Sequence, residues 1–117
     1  MTLGELVAEA NRLSSKIDAG VRALSEAAKK AATAEMDYRQ AKAVAWVKAE
    51  AGTVPERQAQ VDAAVSDKRF VRDLAEGERV TALEALRSRR AQLSALQSIA
   101  AAYRAEAEHS RYGPEIT

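Results

Sequence analysis

The sequence predicts an all-α protein, and its composition and the spacing of its apolar residues are the two observations that indicate this fold class. Residues with high helix propensity, chiefly Ala, Glu, Arg, Lys, Gln and Leu, dominate the chain, whereas the aromatic fraction is only 4%. The 117 residues include 5 Gly and 2 Pro, so helix breakers are rare. We therefore expect long helices with few interruptions.

A first helix is predicted over about residues 2–51. Thr2 and Glu5 have the spacing of a capping box, which satisfies backbone amides at the start of a helix. Apolar residues then recur in two heptad columns that lie on one stripe of the helix. The columns are Leu3, Ala10, Ile17, Leu24, Ala31, Tyr38 and Ala45, and Leu6, Leu13, Gly20, Ala27, Ala34 and Ala41. Three acidic residues are each followed by a basic residue four positions later. These pairs lie off the stripe and indicate a solvated face. These pairs are Asp18–Arg22, Glu26–Lys30 and Glu35–Arg39.

The stretch EAGTVPE, residues 50–56, predicts the corner of a helical hairpin. Gly52 is expected to close the first helix in the left-handed conformation. Thr53 and Glu56 repeat the capping-box spacing, and Pro55 lies in the first turn of a helix, where proline is tolerated. One helix therefore ends and another begins within about three residues.

A second helix follows this turn, residues 51–54, and is predicted over about 54–111, before a tail at 112–117 that contains Gly113 and Pro114. Charged residues interrupt its apolar stripe, which drifts around the helix. Gly77 is the expected kink or break, because glycine inside a helix costs about 1 kcal/mol relative to alanine. The stripe consists of Val61, Val65, Val71, Leu74, Leu83, Leu86, Leu93, Leu96, Ala100 and Tyr103.

A hairpin of two helices leaves half of each apolar stripe exposed. A second copy buries the remainder, so we expect a single helical domain over 1–117 that is completed as a dimeric antiparallel coiled coil or four-helix bundle. Whether the helices pair within or between chains stays open. The residues predicted to form the core and the self-association surface are Leu6, Leu13, Ile17, Leu24, Ala31, Tyr38, Leu86, Leu93, Leu96 and Tyr103.

Charge and cysteine content limit the classes of partner and site. The chain has 18 basic and 17 acidic residues, so its net charge of +1 provides no general attraction to nucleic acid or to an anionic membrane. It has no cysteine, which excludes disulfides and thiolate chemistry. The N-terminal stretch MTLGELVAEANRL contains early acids and no unbroken apolar run, so we expect neither a signal peptide nor a membrane partner, and a cytoplasmic location.

Two short motifs have the spacing of catalytic or metal sites. Tyr38 and Lys42 match the Tyr-x-x-x-Lys of short-chain dehydrogenases, but the glycine-rich nucleotide loop that this chemistry needs is missing. Glu106 and His109 form the Glu-x-x-His of di-iron bundles, but they fall at the predicted end of a helix. Packing explains the first pair and a solvated helix end the second. We therefore predict no enzyme activity, no cofactor and no metal.

The densest basic cluster is Arg87, Arg89 and Arg90, which suggests a local phosphate-binding surface. Aromatic residues for base stacking are missing nearby, and acids are interspersed. A salt-bridged surface that is solvated or faces a partner is favoured, and nucleic-acid binding stays as the alternative.

The stretch from Tyr38 to Tyr112 resembles small uncharacterised helical proteins of tailed phages and prophages. The similarity lies in YRQAKAVAWVKAEAGTVPERQA and in RDLAEGERVTALEALRSRRAQLSALQS. Such proteins are typically encoded among early genes, close to recombination or replication functions. The resemblance implies a phage accessory protein in the cytoplasm of a bacterial host, and it implies no catalytic residue. Secreted WXG-type hairpins have a similar length, but their Trp-x-Gly lies in the turn, whereas Trp46 precedes this turn.

Three functions are compatible with these features. The leading hypothesis is a non-enzymatic coiled-coil adaptor that self-associates and binds a phage or host protein. The alternative is an accessory nucleic-acid-binding protein in phage recombination or replication, which would use the arginine cluster. A metal-dependent oxidase is the third.

Overall fold

The computed structural model describes residues 1–50 and 52–112. This part of the chain contains three helices and no strand: α1 Leu3–Lys48, α2 Val54–Ala64 and α3 Ser66–Tyr112. The all-α prediction is confirmed. Ala51 of the predicted turn, the predicted stop at Gly113 and the rest of the tail lie outside the described residues. A single domain over 1–117 stays a prediction.

The start of α1 is a capping box, as predicted. The backbone amide of Glu5 donates to Oγ1 of Thr2 at 3.1 Å, and Oε2 of Glu5 accepts from the backbone amide of Thr2 at 3.4 Å. Two amides that no earlier turn can satisfy therefore have partners. The helix ends at Lys48, short of the predicted boundary at residue 51.

The connection to α2 differs from the prediction at Gly52. α1 ends at Lys48, well before Gly52, so Gly52 is not the residue that closes this helix and the cap predicted there is wrong. The corner is instead held by side chains: Oε1 of Gln60 accepts from the amide of Glu50 at 3.2 Å, and Thr53 caps α2 by accepting from the amide of Glu56 at 3.2 Å. The predicted cap at Thr53 is confirmed.

The second long helix is interrupted at Val65 and not at Gly77. Val65 has φ −108° and ψ 10°, outside helical values, although its amide still donates to the carbonyl of Val61 at 3.0 Å. The hydroxyl of Ser66 donates to the carbonyl of Ala63 at 3.2 Å, and such a bond competes with the helical ladder. Gly77 lies inside α3, so the helix does not break there, and a kink at Gly77 stays a prediction.

The helices divide into two compact units. The first joins residues 1–22 to the segment that begins at Glu84, and here leucines form the core. Its buried apolar residues are Leu6, Leu13, Leu86 and Ala100. The hydroxyl of Tyr103 donates to the carbonyl of Met1 at 2.9 Å, and Leu86 lies beside Gly20, so α1 and α3 are antiparallel within this unit.

The second unit is Ala23–Leu83 and contains the corner. Residue numbers rise along α1 and fall along the helices opposite it, as in the contacts Lys30–Glu78, Tyr38–Arg69 and Trp46–Arg57, so the helices are antiparallel here too. The guanidinium of Arg57 lies 5.6 Å from the ring centroid of Trp46 and also donates to its carbonyl at 3.1 Å. This pair joins the end of α1 to α2.

Candidate protein-interaction surface

The second unit buries small side chains where its two long helices meet. Its core cluster is Ala31, Ala34 and Ala75, and Ala75 is only 1% exposed. Arg72 and Arg79 line a groove of about 540 Å³ beside these alanines. An arginine stem supplies apolar surface that alanine lacks. The guanidinium of Arg72 lies over the ring of Tyr38, and that of Arg79 pairs with Glu76, which also lines the groove.

Tyr38 is the largest buried side chain near this alanine contact, and cations surround it. Its oxygen accepts from Nη2 of Arg69 at 3.2 Å, and the guanidinium of Arg72 lies 4.2 Å from the ring centroid. Lys42 is more distant, with Nζ 5.9 Å from the centroid. The hydrogen bond from Arg69, followed by the charges of Arg69, Lys42 and Arg72, lowers the pKa of Tyr38 below its usual value.

Carboxylates balance these cations. Arg72 pairs with Asp73 at 2.9 Å and with Glu35 at 3.7 Å, and Arg69 approaches Asp62 at 3.7 Å. The arginines therefore have partners within the chain, and the cluster serves to fasten α1 to α3 around a buried ring.

Several large apolar side chains on α3 in the second unit are exposed to solvent. Phe70, the single phenylalanine of the chain, is 67% exposed, and Val71 and Leu74 are also exposed. Exposed residues recur on α3 at spacings of three and four and so share one side of the helix. We call this set the Phe70 face. It consists of Asp67, Phe70, Leu74, Gly77 and Thr81.

A second exposed face runs along α1 in the same unit. Its members also recur at spacings of three and four, and Val47 at its end is 87% exposed. Met36 is the largest apolar side chain on it and is exposed as well. We call this set the Met36 face. It consists of Lys29, Thr33, Met36, Gln40, Ala43 and Val47.

The residues predicted for the core and for self-association have different degrees of burial within one chain. Five are buried and four are half-buried, whereas Tyr103 is 41% exposed despite its hydrogen bond to Met1. The buried residues are Leu6, Leu13, Ala31, Tyr38 and Leu86, and the half-buried residues are Ile17, Leu24, Leu93 and Leu96. Their part in self-association stays a prediction.

The arginine cluster does not present three free cations on one surface. Nη1 of Arg87 donates to Oε1 of Glu84 at 3.0 Å. Arg89 is half-buried, next to Gly20, while Arg90 is exposed. Arg89 and Arg90 are adjacent in sequence and so point about 100° apart around the helix, which separates their charges.

The two catalytic or metal motifs do not assemble a site in the described residues. The oxygen of Tyr38 meets Arg69, while Lys42 approaches the ring of Tyr38. Glu106 and His109 are exposed near the end of α3. Residues 1–50 and 52–112 hold no group of three or more His, Asp or Glu side chains arranged to bind a metal ion.

The sequence pattern did not predict the two exposed faces. The predicted stripe grouped Val71 and Leu74 with Val61 and Val65, but only the two latter residues are buried. The available signal was the position of Arg72, which is seven residues after Val65 and therefore shares its side of the helix. Counting arginine stems as core would have moved Val71 and Leu74 to the outside.

The chain matches no protein-family model, and comparison with curated proteins and with solved structures finds no match. Among the described residues, none of the helices combines the length and the apolar character that crossing a bilayer requires.

Proposed function

We propose that this chain is a non-enzymatic adaptor that associates with itself and binds a protein through its helix faces. One observation carries the proposal: the second unit buries alanines between its helices while Phe70, Leu74 and Met36 lie outside. Large apolar side chains on an exposed face are typical of interaction sites.

The energetics favour a covered surface. Burying a Phe, Leu or Met side chain stabilises an assembly by about 1.5–3 kcal/mol, whereas alanine buries far less apolar area. In the second unit, burial would therefore contribute most free energy at the side chains that are exposed to water in the single chain. A partner that covers them recovers this free energy.

The biological setting of the proposal rests on the resemblance of the Tyr38–Tyr112 stretch to phage accessory proteins. We infer that, besides a second copy of itself, the chain binds a protein of a phage or of its bacterial host in the cytoplasm. The paired arginines around Tyr38 support a structural role for that cluster and fit an adaptor.

The test combines molar mass with a face-specific variant. Light scattering coupled to size exclusion should give a dimer or larger species for the unaltered chain at tens of micromolar. Replacing Phe70 and Leu74 by serine should reduce the mass. Replacing Val80 by serine is the matched control, because Val80 is exposed on α3 but lies off the Phe70 face. A monomeric unaltered chain at this concentration would contradict self-association.

Partner binding has a separate readout. The unaltered chain and the Phe70/Leu74 serine variant are immobilised, and a lysate of infected bacteria is passed over both. A protein retained by the first and lost from the second supports the adaptor function. Equal retention by both would exclude the Phe70 face as the binding surface.

A further inference from the structure

We propose that the Phe70 face of one copy docks on the Met36 face of another copy. This inference rests on the self-association proposed above and specifies its geometry. The occupant of each face is thus a second copy of this chain, in a head-to-tail arrangement.

Both faces lie in the same unit and on the outer sides of their helices. Met36 is two residues from Ala34, and Gly77 is two residues from Ala75, so each face is turned about 200° from the buried alanine on its own helix. A single copy therefore presents two exposed faces, each with large apolar side chains, that its own helices cannot bring together.

The charges on the Phe70 face argue against pairing with an identical face. Asp67 lies within it, and Asp73 and Glu78 flank it, so all of these charges are negative. Arg69 and Arg72, close in sequence, are turned towards Tyr38. Two Phe70 faces in contact would therefore bring carboxylates together.

The internal ion pairs reduce this acidity without reversing it. Asp73 is paired with Arg72 at 2.9 Å and Glu78 with Lys30 at 2.9 Å. Asp67 makes no ion pair within residues 1–50 and 52–112, and it sits on the Phe70 face itself.

The Met36 face has the opposite balance. Lys29 lies within it, and Arg39 and Lys48 flank it, against the acids Glu26 and Asp37. Internal ion pairs reduce this positive charge as well, because Lys29 approaches Glu26 at 3.7 Å and Arg39 pairs with Glu35 at 2.8 Å. Lys48 makes no ion pair in the described part of the chain. Apolar contact between the two faces provides the attraction, and the complementary charges select the unlike face over the like one, because exposed ion pairs themselves contribute little.

Pairing of unlike faces has a consequence for assembly. Each added copy leaves one Phe70 face and one Met36 face uncovered, so growth continues unless the rotation between copies closes a ring. The molar mass of the assembly should therefore increase with protein concentration, or reach a constant value if a ring closes. Neither outcome requires two-fold symmetry.

Two complementary variants test this geometry. Phe70→Glu with Leu74→Glu removes the Phe70 face, and Met36→Glu with Val47→Glu removes the Met36 face. We expect each variant alone to be monomeric at concentrations where the unaltered chain associates. An equimolar mixture should form a one-to-one complex, because each variant keeps the face that the other has lost. Sedimentation velocity and light scattering measure the mass, and circular dichroism checks the helix content.

Three outcomes overturn the inference. If the Met36/Val47 variant alone dimerises, two Phe70 faces pair with each other, and self-association stands with a different geometry. If the mixture stays monomeric while the unaltered chain associates, other surfaces are responsible. If the unaltered chain is monomeric throughout, self-association fails as well. Serine replacements at the same four positions repeat the experiment if the glutamate variants lose helix content.

Discussion

Nη2 of Arg69 on α3 donates a hydrogen bond to the phenol oxygen of Tyr38 on α1 at 3.2 Å. The ring is buried, and the guanidinium of Arg72 lies 4.2 Å from its centroid. Both arginines reach carboxylates as well. One buried tyrosine therefore joins the two long helices of this unit through packing, a hydrogen bond and a cation–π contact.

Tyr38→Phe should lower stability less than Tyr38→Ala. Phenylalanine keeps the ring and its contact with Arg72 but loses the oxygen that accepts from Arg69. Alanine removes the ring and leaves a cavity between the helices. Urea denaturation followed by circular dichroism gives both values. Equal losses would show that the ring contributes no stability beyond that of the hydrogen bond.

The lowered pKa of Tyr38 predicts a rise of stability in alkaline solution. In the unfolded chain, the pKa of tyrosine is about 10. Because the folded chain loses this proton at a lower pH, the unfolded chain binds more protons between the two pKa values, and the free energy of unfolding increases with pH in that window. This contribution is full above the unfolded pKa and disappears as pH falls through the folded one.

The measurement compares the unaltered chain with Tyr38→Phe from pH 8 to 11. The difference in their free energies of unfolding should grow with pH, and ultraviolet absorbance should show one tyrosine that ionises early. A constant difference across this range would contradict the prediction.

Gly77→Ala should stabilise the chain by about 0.5–1 kcal/mol, because alanine has the higher helix propensity and loses less entropy on folding. A Cβ at Gly77 meets no atom within 4 Å. Gly20→Ala is the matched comparison, since its Cβ would lie 3.3 Å from Cδ1 of Leu86. We expect a smaller gain or a loss there. Urea denaturation at one protein concentration measures the change in stability for both variants. Equal gains in stability would show that Leu86 moves freely.

Leu13→Ala should cost about 2–5 kcal/mol, as expected for a buried leucine that leaves a cavity. Leu13 is 3% exposed, whereas Leu93 is half-buried in the single chain. Leu93→Ala should therefore cost less than Leu13→Ala in dilute protein. If self-association buries Leu93, its cost should increase with protein concentration, while that of Leu13 stays constant. A cost for Leu93 that equals that of Leu13 in dilute protein would place Leu93 in the monomer core.

Nucleic-acid binding remains the competing function, and salt dependence tests it. We expect DNA of either strandedness to bind more weakly than about 10 μM at physiological salt, within the range of non-specific binding. Arg87 is already paired with Glu84, and Arg89 is half-buried. Fluorescence anisotropy on the unaltered chain and on a variant with Arg87, Arg89 and Arg90 changed to Glu measures this. A salt-sensitive submicromolar complex that the variant loses would replace the adaptor proposal.

Features that depend on one helix turn were predictable from the sequence. The capping box at Thr2 and Glu5 and the cap at Thr53 formed as expected, because their partners are three residues apart and meet whenever a helix starts there. The ion pair of Glu35 and Arg39 also formed, at 2.8 Å.

Features that depend on a second helix were not predictable. Lys30 pairs with Glu78 on α3 instead of Glu26, because the antiparallel helix brings another carboxylate within 2.9 Å. Glu26 instead approaches Lys29 at 3.7 Å. The expected pair of Asp18 and Arg22 is missing from the ion pairs of the described residues. Its attraction is weak, since both side chains reach solvent.

The faces of α3 were misjudged for a related reason. An apolar pattern treats Arg72 and Arg79 as surface residues, yet both line the groove beside the alanine contact. The side of the helix that meets α1 depends on the partner's small side chains, which leave room for arginine stems. Spacing along α3 alone does not contain this information.

The alanine contact in the second unit has a consequence for the lifetime of the protein in a cell. Few apolar atoms hold Ala31, Ala34 and Ala75 together, so the helix segments around these alanines are expected to open at a smaller free-energy cost than the segments that bury Tyr38, Val61 and Val65 when nothing covers the outer faces. An opened helix is a substrate for cellular proteases, and its degradation follows the population of the open form. If the chain acts as the proposed adaptor, a copy without a partner should therefore be removed faster than an assembled one, which would keep the amount of this chain matched to the amount of that partner.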